Sequence, residues 1–442
     1  MTGTDRRGAA MALIEAELDR AVADLARMVA VDTRFPPGAG YGAFATLMEE
    51  LLADLPLPTR RETVPDALWQ VARGPARGER INLIAEAPGT GPACSLYFHV
   101  DTVCAAGGWQ RDPFVLTEED GRLYGLGTAD MKGAIAAAVH ALRVAQRLGL
   151  TLAYRPQLLL CTDEEGGLYP GIRHLAEQGM IAGHLLNFNG SAGPRIWGGC
   201  FGSFNLQVTV RGFAAHAADR SKHAINAIEA ALPMMQAVQA LRPAVAARIS
   251  ALPVAPGQPP LAAQIAITVA EGGTCGGQVP DRFVFLVSRR YAPEEDFATA
   301  RTEIETAIRD ACPAGATLDF DLIGHLTPTA DPEGSHTPRW IRAVQEGFGY
   351  APEEFVKYAA ASASDSGYVQ QAGVLQEINL GGLIRPGSNA HGAEEHTTRA
   401  DLAALAKAIL CYLAADFAPE LNPELMAAPA AAAAPDPTTP NN

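Results

Sequence analysis

Residues 157–167 have the sequence QLLLCTDEEGG, in which a continuous apolar run ends in three adjacent acidic residues. An apolar run without polar alternation is typical of a strand that is buried on both faces of its sheet. Comparable strands are predicted at 81–87 (INLIAEA) and 94–100 (CSLYFHV), with a helix at 132–148 between them and the opening run. Because such strands alternate with helices, we predict an α/β domain whose mixed sheet is covered by helices.

The pattern of the strands changes after residue 200. In 203–211 (SFNLQVTVR) apolar and polar residues alternate, and the same alternation is present at 265–269 and 283–287. A period of two indicates a sheet with one exposed face. Three further elements are predicted: helices at 222–241 and 293–311 and a strand at 317–323. With them the order of elements is β-α-β-β-α-β, which predicts a ferredoxin-like α+β unit.

These two patterns divide the chain. At 442 residues it is long enough for two domains, and we expect the α/β domain to be split in sequence by the α+β unit. An amphipathic helix is predicted at its start, over residues 11–30. The expected boundaries are 1–199 and 329–425 for the two parts of the α/β domain, 200–328 for the inserted unit, and 426–442 for a disordered Ala/Pro tail.

The composition excludes several classes of protein. The formal charge of −15 argues against a surface for nucleic acid or anionic membrane, because phosphate binding needs clustered Lys and Arg. We expect no signal peptide and no bilayer-spanning segment, since no apolar run is suitable for either. The seven cysteines form no CxxC pair, which favours reduced thiols in a cytoplasmic protein.

Acidic residues and a histidine lie beside the predicted strands of the α/β domain. His99 and Asp101 are in 98-FHVDT-102, Glu164 and Glu165 follow the opening apolar run, and Asp130 precedes the helix at 132. In open α/β sheets, ligands bind beyond the carboxyl ends of the strands. Imidazole and carboxylate groups suit zinc, and a catalytic zinc leaves one ligand position for water. The remaining carboxylate is then available as the general base, and Asp101 can orient a ligand histidine.

Two segments, 99–114 (HVDTVCAAGGWQRDPF) and 123–133 (LYGLGTADMKG), resemble those of the M20 family of zinc-dependent amidohydrolases and peptidases. Within that family the two segments are most similar in sequence to those of the acetylornithine deacetylases. The resemblance covers roughly residues 15–420. It implies that the split α/β domain is catalytic, and that the inserted domain is a lid through which two chains form a homodimer.

The resemblance also implies a role for individual residues. Glu164 would be the general base, Asp101 would orient a ligand histidine, and Glu395 would lie behind the ligands. His216, in 212-GFAAHAA-218, would stabilise the oxyanion across the dimer. The expected metal ligands are His99, Asp130 as a bridge between two ions, Glu165 and His391; the expected substrate-binding residues are Arg290, Asp365 and Gly387.

One position departs from the family's pattern. The family has an acid in a segment after the two glutamates, whereas this chain has Asn189, in 188-FNGS-191. An amide oxygen brings no charge and is a poorer zinc ligand than a carboxylate. Three alternatives follow: two metals with Asn189 as a weak ligand or a nearby acid in its place; one tight metal on Asp130, Glu165 and His391; or drift to another substrate or to a non-catalytic role.

The sequence therefore predicts a zinc-dependent hydrolase that cleaves the amide bond of a small N-acyl amino acid or a related compound. Two zinc ions are expected per chain, with the ion at His99 the weaker, and cobalt or manganese could replace zinc. The alternatives are a dipeptidase or carboxypeptidase of the same family, and a metal-poor protein that only binds its ligand. Arg385 is expected either to contact an acidic acyl group or to face solvent.

Overall fold

A computed structural model describes residues 3–70, 75–218, 224–332, 334–374, 376–377 and 382–419. The predicted tail and residues 222–223 of a predicted helix lie outside this part of the chain. None of the helices within it is long and apolar enough to cross a membrane. The helices are α1 (Gly3–Ala16), α2 (Leu18–Val29), α3 (Tyr41–Leu52), α4 (Lys132–Arg147), α5 (Pro170–Glu177), α6 (Ala227–Ala246), α7 (Phe297–Asp310), α8 (Thr337–Phe348), α9 (Ser366–Gln371) and α10 (Arg399–Leu413), with short 3-10 helices at Asp66–Leu68, Pro352–Glu354 and Ala415–Phe417.

The strands fall into two main sheets and several short ribbons. They are β1 (Arg34–Phe35), β2 (Thr59–Thr63), β3 (Ile81–Glu86), β4 (Ala93–His99), β5 (Thr102–Val103), β6 (Thr117–Glu119), β7 (Arg122–Tyr124), β8 (Arg155–Cys161), β9 (His184–Asn187), β10 (Arg195–Cys200), β11 (Gly202–Arg211), β12 (Ala215–His216), β13 (Gln264–Gly272), β14 (Gln278–Val279), β15 (Arg282–Tyr291), β16 (Thr317–Leu326), β17 (Val356–Ala360), β18 (Gln376–Glu377) and β19 (His396–Thr398).

The larger sheet has six strands in the order β18-β9-β4-β8-β3-β2. The first four strands are parallel to one another, β3 is antiparallel to its neighbours β8 and β2, and the sheet is therefore mixed. Both of its faces are covered, which explains the continuous apolar run of β8. Leu158 and Leu160 pack into the core formed with α4 and α10, whereas Leu159 and Cys161 pack into the core formed with α5 and α9. The predicted helix-covered mixed sheet is confirmed.

The second main sheet lies in the inserted part of the chain. Its four antiparallel strands have the order β13-β15-β11-β16, and α6 and α7 follow β11 and β15, giving the ferredoxin-like order. In β11 the alternate residues Phe204, Leu206 and Val208 are buried in one core with both helices. The predicted alternation fails at Val269 of β13, which is 38% exposed because the register shifts between Ile267 and Val269.

Three predicted helices have different limits in the structure. The helix expected over 11–30 is two helices, α1 and α2, separated at Glu17, and nothing in the structure explains the break. The helices expected to start at 222 and 293 start instead at Ala227 and Phe297, as α6 and α7. In both, the preceding residue caps the helix: Asn226 accepts hydrogen bonds from two backbone N–H groups, and Asp296 accepts one.

Gly171 places α5 directly against the end of β8. A Cβ atom at this position would lie 2.6 Å from both the backbone N and the O of Thr162 and 2.8 Å from Asn82 Oδ1. The Asn82 side chain holds the same junction, since it accepts from Thr162 N at 3.1 Å and donates to Gly171 O at 2.9 Å. The helix therefore approaches the strand as closely as glycine allows.

Gly171→Ala is expected to lower the free energy of unfolding by about 1–3 kcal/mol, because the clash with backbone outweighs alanine's higher helix propensity. The matched control is Gly8→Ala in α1, where no atom lies within 4 Å of the new Cβ. That change should raise the free energy of unfolding by about 0.5–1 kcal/mol. Urea denaturation of both variants measures the two values, and equal signs would contradict the packing argument.

Candidate metal centre

The carboxylate of Asp101 joins the ends of two neighbouring strands. Asp101 follows β4 and is completely buried. Its two oxygens accept hydrogen bonds from the backbone N of Glu164 at 3.1 Å and of Glu165 at 2.9 Å, just beyond β8. Because β4 and β8 are parallel neighbours, their carboxyl ends meet at one edge of the sheet. The turn that carries both glutamates is thereby held beside His99.

His99 is oriented by a backbone carbonyl. Its Nδ1 lies 3.0 Å from the carbonyl O of Asp101 but 3.7 Å from the Asp101 carboxylate. Since a carbonyl only accepts, the Nδ1 N–H donates to it, and Nε2 is the ring nitrogen directed at the other candidate ligands. Nε2 lies 3.0 Å from Asp130 Oδ1. It is thus the main chain of Asp101 that contacts this ring, because the Asp101 carboxylate accepts from the turn after β8.

Asp130 lies between two imidazoles. Its Oδ2 is 3.3 Å from His391 Nε2, and that nitrogen is also 3.0 Å from Glu165 Oε1. Together with the contact from His99, these distances bring the four residues predicted as metal ligands into one group. The structure thus gathers side chains from four separate segments of the sequence.

His391 is held in the group by contacts between its own loop, near the C-terminal end of the sequence, and the loop that carries Asp130. Strand β19 pairs with β7, so the loop before β19 lies over the loop that carries Asp130. The Glu395 carboxylate accepts from the backbone N of Gly127 at 2.8 Å, Ala129 at 2.9 Å and Asp130 at 3.1 Å. His391 has a φ of +64°, a left-handed conformation that is uncommon outside glycine. The surrounding loop therefore determines the direction of this histidine.

The carboxylates and histidines of the group shift one another's pKa values, because they lie close together and are largely buried. Burial favours neutral Asp130, but His391 and His99 hold its pKa below the usual range. Burial raises the pKa of Glu164 well above its usual value, and the neighbouring acids add to this. Burial also raises the pKa of Asp101 to about 7, while Asp130 and Glu165 raise that of His391 to about 10. Such an excess of carboxylates is what a bound cation would balance.

The donor set fits a divalent metal ion. Within the described residues, two sets of side chains bring ligand atoms within 4.8 Å of one another: His99, Glu164 and Glu165, and Asp130, Glu165 and His391. Glu165 Oε1 is buried, and it makes no hydrogen bond of acceptable geometry even though His391 Nε2 lies 3.0 Å away. A buried oxygen without a donor is costly unless a cation completes it. Imidazole and carboxylate ligands together suit zinc among the common ions.

Asn189 contacts the base candidate. It follows β9, the neighbour of β4, and its Nδ2 donates to Glu164 Oε1 at 2.9 Å. Its backbone N donates to Asn187 Oδ1 at 2.8 Å, which fixes the turn. The side chain predicted as a doubtful ligand is thus directed at Glu164.

Two residues that the sequence did not single out, Arg80 and Tyr41, hold the acidic turn through Asp163. Arg80 is fully buried, and its Nε donates to Asp163 Oδ2 at 2.5 Å; the Tyr41 hydroxyl donates to the other oxygen of Asp163. Asp163 itself has a φ of +58°. The Arg80 guanidinium also lies 4.2 Å from the centre of the Trp69 ring. An arginine before a strand gave no signal of burial, because surface arginines are common there.

A cavity of about 500 Å³ adjoins the turn after Glu165. One wall comes from the larger domain and includes Trp69 and Tyr169, and the other comes from the inserted sheet and includes Asn205 and Arg290. The predicted substrate residue Arg290 therefore faces a space that is lined by Gly166 and Gly167, directly after the two glutamates. The remaining lining residues are Phe35, Pro75, Ala76, Gly166, Gly167, Leu168, Ser203, Ile323, Gly324, His325, Leu326, Ser362 and Ala363.

Three other predicted residues are placed away from the ligands. His216 is exposed on β12, and its ring accepts from Ala218 N at 3.2 Å. Gly387 is exposed in a turn with a φ of +90°. Asp365 is buried behind the centre, 3.4 Å from the Asn187 amide, with one oxygen lacking a hydrogen bond. None of the three belongs to either ligand set among the described residues.

Arg385 is paired within its own chain, and its side chain is 39% exposed. Its guanidinium makes two hydrogen bonds to the Asp401 carboxylate, at 2.8 and 2.7 Å, and a third to the Tyr350 hydroxyl at 3.2 Å. Asp401 raises the pKa of Arg385. A bidentate pair with a carboxylate satisfies the planar guanidinium, so Arg385 joins the turn at 385–388 to α10.

Known proteins are similar to this chain in sequence and in fold. A family model for peptidase family M20/M25/M40 matches residues 95–415. Succinyl-diaminopimelate desuccinylase of Acidiphilium cryptum is 36% identical over 173 residues, 37% of this chain and 45% of that protein, so the match spans less than half of that relative. The protein of the same name from Xanthomonas oryzae pv. oryzae is 31% identical over 343 residues, 74% of this chain and 85% of that protein.

Solved structures share the fold of this chain. The di-peptidase Dug1p of Saccharomyces cerevisiae has a TM-score of 0.69 at 13% identity, covering 93% of this chain and 98% of that one. Human carnosine dipeptidase 1 has a TM-score of 0.67 at 16% identity, covering 92% and 98%. At these identities the likeness concerns the fold.

The fold and the group of carboxylates and histidines define a hydrolase of the metallopeptidase and amidohydrolase class. The chain belongs to peptidase family M20/M25/M40.

Arg80→Met is expected to lower the free energy of unfolding by about 3–5 kcal/mol, because it leaves the buried Asp163 carboxylate without its cation. Arg61→Met is the matched control, since Arg61 pairs with Glu49 at 2.7 Å on the surface. Exposed pairs contribute less than about 1 kcal/mol. Denaturant unfolding at neutral pH compares the two variants, and a similar small loss in both would show that the Arg80 pair does not support the turn.

Proposed function

We propose that this chain is a zinc-dependent hydrolase that cleaves the amide bond of a small N-acyl amino acid or a related compound. The observation that carries the proposal is the juxtaposition of Glu164 with a donor set of carboxylates and imidazoles. In its support, Glu165 Oε1 is buried without a hydrogen bond, and His391 and Asp130 lie beside it. His99, Asp130, Glu165 and His391 would hold the metal.

Metal ions at these ligands would supply Lewis acidity, lowering the pKa of water and polarising a carbonyl. The protein's own contribution is proton transfer by Glu164. Its raised pKa suits a group that first takes a proton from water and then delivers it to the leaving nitrogen. Asn189 donates to one of its oxygens, which leaves the other oxygen for the proton. The Asp101 carboxylate holds the backbone of Glu164 in place during both transfers.

The cavity supports a small substrate with a carboxylate. Its volume of about 500 Å³ suits a molecule of this kind, and Arg290 offers a planar cation for bidentate contact with a carboxylate. The relatives from Acidiphilium cryptum and Xanthomonas oryzae are named as desuccinylases of an N-succinyl amino acid. We therefore place N-succinyl and N-acetyl amino acids first among the substrates, and dipeptides second.

We further propose that the chain acts as a homodimer in the cytoplasm. The described part of each chain directs His216 to solvent rather than to its own metal ligands, so a role at the oxyanion needs a second copy. The seven cysteines are free thiols, which fits a reducing compartment.

Glu164→Gln is expected to lower kcat by roughly 10³-fold on whichever N-acyl amino acid the wild type hydrolyses, since the amide cannot accept the proton of water. Zinc content, measured by mass spectrometry, should not fall. Glu177→Gln is the matched control, because Glu177 pairs with Arg173 on the surface of α5. Turnover that persists in Glu164→Gln would refute the proposal. So would a chain that binds no metal and cleaves none of the N-succinyl amino acids, N-acetyl amino acids and dipeptides.

Subunit exchange tests the role of His216. Homodimers of Glu164→Gln and of His216→Ala should each be nearly inactive, while a mixture allowed to exchange subunits should recover activity, because one hybrid site combines Glu164 of one copy with His216 of the other. Exchange is followed by native mass spectrometry. If hybrids form and activity stays absent, His216 does not act across the dimer.

A further inference from the structure

Asn189 replaces an acid in the family's pattern, and in the structure its amide donates a hydrogen bond to Glu164. The side chain lies at the end of β9, and its Nδ2 is 2.9 Å from Glu164 Oε1. A carboxylate offers only acceptors, so the group that faces it must be the NH₂ of the amide. An Asp or Glu at this position would instead set a second negative charge against Glu164.

The position of Asn189 is held by its own strand. Its backbone N donates to Asn187 Oδ1 at 2.8 Å, and the Asn187 amide in turn lies 3.4 Å from the buried Asp365 carboxylate. Asn187 is only 6% exposed. The contact to Glu164 therefore comes from an anchored turn, and a donor held in this way can fix the direction of a carboxylate.

The two possible metal positions are unequal as a result. Asp130, Glu165 and His391 provide two carboxylates and one imidazole around one point, and Glu165 Oε1 there is buried without a hydrogen bond. The position beside His99 has Glu164 and Glu165 as the carboxylates of its set, with Asp130 Oδ1 3.0 Å from the His99 ring. Of these, Asp130 and Glu165 belong to the other set, and Glu164 is the base of the proposed reaction. No acid from 189 adds to it, and the buried Asp365, which lies 3.4 Å from the Asn187 amide, is in neither ligand set.

We propose that Asn189 is a positioning residue for Glu164, and that the chain binds one divalent ion tightly, at Asp130, Glu165 and His391, with the position at His99 left weak by the missing carboxylate. This inference rests on the proposed function only for the role of Glu164. Its account of the metal concerns binding and is measurable without any substrate.

The test counts zinc in purified protein. Wild type and variants are loaded with excess zinc and dialysed against a weak chelator, and the ions left per chain are measured by mass spectrometry. Wild type should keep one ion. Asn189→Asp should keep two, because it restores a charged oxygen ligand. Asn205→Asp makes the same change on the cavity wall, away from both ligand sets, and should keep one.

Asn189→Ala separates positioning from ligation. It should keep one ion while kcat falls about tenfold with KM little changed, as expected when a hydrogen bond to a charged group is lost. A wild-type count other than one, no second ion in Asn189→Asp, or loss of the ion in Asn189→Ala each overturns the inference. If the counts are as expected but Glu164→Gln remains active, the proposed function fails and the assignment of the tight metal position stands.

Discussion

The pair of hydrogen bonds from the Glu164 and Glu165 backbone to the Asp101 carboxylate is the constraint on which the rest of the centre depends. It crosses from the end of β4 to the end of β8, and the Asp101 carboxylate that accepts both bonds is completely buried. A buried carboxylate that lost these donors would be costly, so the turn and Asp101 hold one another in place. Arg80 secures the other side of the same turn through Asp163. Both glutamates consequently have fixed backbones.

The remaining candidate ligands come from parts of the chain that local structure alone could not bring together. Asp130 lies before α4, and His391 lies in a loop far along the sequence. Their meeting depends on the pairing of β19 with β7 and on the Glu395 carboxylate, which accepts three backbone N–H groups around Asp130. Glu395 is 2% exposed, and burial raises its pKa to about 7 against the effect of these donors. The centre therefore requires the second part of the larger domain to be folded.

Much of the fold and of the group of ligands was predictable because each depends on a short pattern. The apolar run of β8 identified a sheet covered on both faces, and the alternation of β11 identified a sheet with one covered face. His99, Asp130, Glu165 and His391 were recognised together by their segments. The burial of Arg80 was not predictable, since it results from the packing of Trp69, Tyr41 and Asp163 around it. The partner of Arg385 was missed for the same reason.

By itself, the sequence determined the class of fold, the family and the identity of the groups able to hold a metal, because periodicity and residue type are local properties. Only the tertiary structure decided how those groups are used. It directed the Asp101 carboxylate to backbone N–H groups and left the orientation of His99 to a carbonyl. It turned the amide of Asn189 toward Glu164. These choices depend on which donors and acceptors meet at the end of three adjacent strands, and only the folded chain brings them together.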